Sequence, residues 1–134
     1  MTAQQLFNKM GNHLLTQGRK SMGPSGYCAY RGQGNTCCAV SILITDEEYT
    51  DEFEQKSSDA VIGYPDAEHL KGLSITRLLP FRELLRDMQR AHDDIQNDTY
   101  FHEDISRAMQ YVAKDHKLSL RWVKNHKEWI EPND

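Results

Sequence analysis

Between positions 80 and 114 the apolar residues recur at a period that only a helix can gather onto one side. Phe81, Leu84, Leu85, Met88, His92 and Ile95 fall on one stripe, and Phe101, Ile105, Ala108, Met109 and Val112 fall on a second. Pro80 suits the first position of a helix, where an amide hydrogen would go unused. Asn97 and Asp98 interrupt the pattern, and Thr99 can cap the second helix. The spacing predicts helices over 80–96 and 99–114, joined by so short a connection that they form an antiparallel pair.

Elsewhere the pattern is more mixed. Leu6, Phe7, Met10 and Leu14 predict a helix over 3–17, with Gly11 as a mild interruption and Gly18 as its stop. Positions 18–26 are rich in Gly, Ser and Pro and read as a loop, leading into a short aromatic strand over 27–30. From Thr36 two geometries compete. A strand would pair back across a turn at 31–35 as a hairpin. A helix capped by Thr36 would put two thiols in its first turn and continue through the helix-forming residues of 46–54, and this is the favoured reading. Positions 55–72 read as irregular, with one short helix over 66–71. The segment 118–123 alternates like a strand, and Trp122 and Trp129 pin the tail. The chain of 134 residues is long enough for one real core. The fold expected is α+β: a predominantly helical single domain over 1–134, with a small β-hairpin or loop carrying the cysteines and 117–134 as an appended strand or helix.

Charge bounds the partners. Sixteen basic against twenty acidic residues leave a formal charge of −4, which argues against sequence-independent nucleic-acid binding. The segment 46–54 holds six carboxylates and no base, while 114–127 is basic. Either is an ordinary solvated face, or the acidic segment, through Asp46, Glu47, Glu48 and Glu52, docks on a basic partner. The start of the chain lacks a basic stretch followed by an apolar core, and no apolar run approaches the ~18 residues needed to span a bilayer. Three cysteines, two adjacent, cannot all pair within one chain and read as reduced thiols. The expectation is a soluble cytoplasmic protein with no membrane partner.

All three thiols lie within positions 27–40, around a Gly-Gln-Gly-Asn turn and Arg31. A cysteine hydrolase or transferase would use Cys37 or Cys38 as nucleophile, with His92 as base and Asp93 to orient it; Gln33 or a turn amide would receive an oxyanion. A zinc site would draw on Cys28, Cys37 or Cys38 and on His92, His13 or His102. The spacing of nine between Cys28 and Cys37 is not a zinc-knuckle spacing. Against both readings, buried cysteines and a histidine on an apolar stripe are ordinary core residues. Arg31 could clamp an anion beside Gly32 and Gly34. The favoured reading is that it pairs with Asp93 or Asp46. Gly32-Gln33-Gly34 lacks the remainder of a nucleotide-binding fingerprint. No cofactor is expected, with zinc as the alternative.

The order Cys28-Ala-Tyr-Arg-Gly32, Gly34, Cys37 or Cys38 with Ala39-Val40, Ile44-Thr-Asp-Glu-Glu-Tyr49 and Gln89-Arg-Ala-His92-Asp93 resembles a family of small, functionally unassigned bacteriophage and prophage proteins. It departs from that family at Ser41, where glycine is usual, and at Thr45, where proline is usual. The resemblance spans roughly 5–95. It implies that Cys28, Arg31, a second thiol, His92 and Asp93 meet in space, and that the protein acts in a host cell by binding and modulating a host protein.

Overall fold

The structure is a computed structural model and describes residues 1–54, 56–62 and 75–132. It is predominantly helical with one two-stranded antiparallel sheet. Helix α1 (Ala3–Gln17) starts at a reciprocal cap: Gln5 N donates to Thr2 Oγ1 at 3.1 Å, and Thr2 N donates to Gln5 Oε1 at 2.8 Å. It ends where Gly18 takes the left-handed conformation, φ 70°. Its buried face is Leu6, Phe7, Met10, Leu14 and Leu15. Gly11 belongs to that face and is no interruption, since any Cβ there would meet Met109 and Val123.

After α1 the chain folds back twice. Met22 and Cys28 form a single antiparallel bridge around a turn at Gly26, so 27–30 is not a full strand. Then β1 (Arg31–Gly32) pairs with β2 (Thr36–Cys37), in register Arg31 with Cys37 and Gly32 with Thr36. Gly34 and Asn35, at φ 70° and 60°, make the turn left-handed. The helix expected from Thr36 does not form, because tertiary partners take its amides. Cys37 N donates to Gln17 Oε1 at 2.8 Å, Cys38 N to Tyr30 O at 3.2 Å and Val40 N to Gln89 Oε1 at 3.1 Å. Nor is 46–54 an α-helix; single 3₁₀ turns occupy Ser41–Leu43 and Asp51–Phe53.

The short helix α2 (Ser58–Ile62) buries Val61 and Ile62; the helix expected over 66–71 lies outside the described residues. The 3₁₀ stretch Ile75–Phe81 contains Pro80 and feeds α3 (Arg82–Asp93), so the α-helix begins two residues after the proline. Leu84, Leu85, Met88, His92 and Ile95 are buried as the stripe requires. Asn97, not Thr99, caps the next turn by accepting from Thr99 N at 2.9 Å. Helix α4 (Phe101–Asp115) then buries Phe101, Ile105, Met109 and Val112. Just past its end, His116 Nε2 meets Asp87 Oδ2 at 2.8 Å, which fixes α3 and α4 as antiparallel.

The tail is helical rather than extended: α5 (Arg121–Lys124) buries Val123. Trp129 packs on the core, but Trp122 is 60% exposed and pins nothing. Among the described residues no helix is long and apolar enough to cross a membrane.

Candidate functional site: a histidine clamp beside Cys28

The end of α3 receives the loop that comes after α1. His92 is fully buried, and its Nε2 lies 2.9 Å from the backbone N of Ser21. An amide can only donate, so Nε2 is the acceptor and the ring proton sits on Nδ1. That proton is donated to Asp93 Oδ1 at 2.8 Å, and Gln89 Nε2 donates to the same oxygen at 3.1 Å. Lys20 completes the join: its Nζ donates to Asp93 O at 3.1 Å and Ile95 O at 2.6 Å, carbonyls that the ending helix leaves without partners. Its backbone N donates to Asp98 Oδ1 at 2.9 Å.

Of the three thiols, Cys28 is the one brought to this cluster. Its Sγ, one His92 ring nitrogen and one Asp93 carboxylate oxygen all lie within 4.8 Å of one another. Burial pushes the Cys28 thiol up, the Asp93 charge adds to this, and Lys20 opposes it. The protonated thiol is therefore favoured, which is the wrong form for a nucleophile. A cavity of about 260 Å³ opens here, lined by Cys28, Tyr30, Gln89 and Asp93 among others.

The nucleophile pairing expected from the sequence is not what the fold builds. Cys38 is completely buried and its thiol is pushed far up by that burial. Cys37 sits on β2 and not in the first turn of a helix, so the N-terminal placement expected of it is absent. Its carbonyl accepts from His13 Nε2 at 2.9 Å and Gln17 Nε2 at 3.0 Å. Gln33 N, considered for an oxyanion, is committed to Met22 O at 2.8 Å. His102 lies on α4, its Nε2 donating to Leu15 O at 3.1 Å.

Metal ligation by the cluster is constrained by the same bonds. Zinc ligands at tetrahedral nitrogen and oxygen positions stand about 3.3 Å apart, whereas His92 Nδ1 and Asp93 Oδ1 are 2.8 Å apart with a proton between them. A metal on Nδ1 would move the proton to Nε2, against the Ser21 amide.

No family model matches the chain, and no curated protein or solved structure is similar to it.

Arg31 pairs with Asp46 at 2.9 Å and lies over the Tyr49 ring, 4.2 Å from its centre. Of its two expected partners the structure selects Asp46, leaving Asp93 to His92. The turn is no free anion nest, because the Gln33 amide that would serve it is donated to Met22 O at 2.8 Å, while Gly34 O accepts from Arg19 Nη2 at 2.9 Å.

The acidic segment divides. Glu48, expected at the surface as a docking contact, is 2% exposed. It accepts from Thr45 N at 2.9 Å and is paired with Arg77. Burial alone would raise its carboxyl, but the Arg77 and Thr45 hydrogen bonds outweigh this and hold it below the usual carboxylate value. Glu54 is half-buried and also committed to the chain, accepting from Tyr30 N at 2.9 Å, Arg31 N at 3.2 Å and Tyr49 Oη at 2.6 Å. Asp46, Glu47, Asp51 and Glu52 remain exposed. The Thr45-x-x-Glu48 spacing is that of a capping box, which ties the Glu48 carboxylate back to the Thr45 amide. For Lys20 and Ser21 the sequence carries no comparable signal, since a backbone amide and a loop lysine acquire their roles only when the loop meets α3.

Proposed function

We propose that this chain works by binding a protein partner rather than by catalysis, in the host-directed, cytoplasmic setting that its resemblance to small phage proteins implies. The observation that carries the reading is the pair of bonds on His92. With Nε2 holding the Ser21 amide and Nδ1 donating to Asp93, the ring has no free nitrogen to take a proton from a thiol. What is left to act is the surface. The exposed carboxylates of 46–52 form its candidate contact, and charge of one sign speeds encounter with a basic partner.

The test compares capture from bacterial lysate by the wild type and by Glu47→Lys/Asp51→Lys, leaving Glu48 intact. A captured protein lost in the double variant, at unchanged melting temperature, is the expected result. Equal capture by both would overturn the role of the segment.

The convergence of Cys28, His92 and Asp93 within 4.8 Å supports zinc binding as a second reading. It requires the Ser21 amide to be released and Asp93 to swing away from Nδ1. Stoichiometric zinc in purified protein, lost in Cys28→Ser, would establish it over the first.

A further inference from the structure

We propose that the groove between α3 and α4 is a docking site for a basic segment of a partner protein, whose arginine or lysine stems lie on its apolar floor with their charged ends among its aspartates. This rests on the partner-binding reading and adds a second surface, with an apolar floor, on which a basic partner is held.

The groove encloses about 480 Å³. Its floor is Ala91, Ile95, Ala108 and Val112, where two small residues leave the helix pair unfilled. Four aspartates stand around that floor. Asp94 and Asp104 lie where α3 ends and α4 begins, and Asp87 and Asp115 lie toward the other end. Two of them have partners: Asp87 meets His116 at 2.8 Å, and Asp104 meets Arg107 at 3.7 Å along its own helix. Asp94 and Asp115 are exposed and have no partner among the described residues. Arg90 is the one cation among the described residues lining the groove.

An apolar floor with an acidic rim is complementary to a side chain with an aliphatic stem and a cationic head. Tyr111, 66% exposed, adds an aromatic face at the rim on which a guanidinium can stack. A neutral apolar peptide would leave the carboxylates unpaired, and an acidic one would be repelled.

The probe is a short fluorescein-labelled peptide alternating Arg and Leu, with its Glu and Leu counterpart as control, followed by anisotropy at low salt. The basic peptide should bind the wild type, and Asp94→Lys/Asp115→Lys should weaken it about tenfold at an unchanged melting temperature. Tyr111→Ala, at an exposed position that does not risk the fold, should weaken it several-fold. Failure of the basic peptide to bind, equal binding of the acidic peptide, or affinity unaffected by both groove variants would overturn the inference. Binding lost only in Glu47→Lys/Asp51→Lys would also overturn the groove while leaving the partner-binding reading intact.

Discussion

Replacing His92 by phenylalanine keeps an aromatic ring on the stripe but removes both nitrogens, so its cost joins the loss of the clamp to that of fitting a larger ring into a fully buried site. The Ser21 amide would lose its acceptor in a buried setting, and Asp93 would lose its shortest donor. An orphaned buried donor costs about 1–3 kcal/mol, so His92→Phe should lower unfolding stability by at least that range in a denaturant titration. Unchanged stability would mean that the clamp holds nothing. The position of His92 on an apolar stripe was visible in the periodicity, and a core histidine was the ordinary reading of it. Its acceptor bond to a loop amide was not visible, because Ser21 lies 71 positions away. Glu48 is a second case: charge counting put it at the surface, and Arg77, the partner it is buried against, lies 29 positions away.

Among the elements, the hairpin is the one for which the local signals were divided. A helix capped by Thr36 and a strand paired across the turn were both open, and the amides of Cys37, Cys38 and Val40 bond to α1, the preceding loop and α3. Glycine makes this possible at Gly32, where an added Cβ would come within 2.5 Å of Ser21 Oγ, 2.7 Å of Met22 N and 2.8 Å of Met22 O. Two of these are backbone atoms that cannot swing aside. Gly32→Ala should therefore destabilise the protein by about 1–3 kcal/mol, the usual cost of overpacking, read as a fall in thermal midpoint; an unchanged midpoint would show that the two layers can part. The α3 and α4 stripes, by contrast, were legible almost residue by residue, because each buries an amphipathic face that repeats at the helical period whatever its neighbour. Their ends were less so: Pro80 falls within a 3₁₀ stretch, and Asn97 takes the capping role expected of Thr99.

For the whole molecule, the groups with shifted titration combine into a stability profile with two acid steps. Burial lowers His13 from its ordinary value of 6.5, so on acidification the unfolded chain takes up that proton before the folded one, and stability falls below about neutral pH. Glu48, held below its ordinary 4.5, contributes stability that is present above that value and lost as pH falls through its folded value. His13→Gln should remove the first step and Glu48→Gln the second, in melting temperatures measured from pH 8 to pH 3. On the alkaline side the raised Cys28 and Cys38 thiols act in the opposite direction, since above their ordinary value of 9.0 the unfolded chain loses protons that the folded one keeps. A profile flat between neutral pH and 5 would contradict the burial assigned to His13.

The fold class, the first helix with its Gly18 stop, and the antiparallel pair were written in the chain, because hydrophobic period and capping act over a few residues. Which thiol meets His92, which carboxylates turn inward, and whether Thr36 begins a helix were decided only by tertiary structure. Each depends on a hydrogen-bond partner supplied by a distant segment, and a buried amide or carboxylate takes whichever partner packing brings within reach.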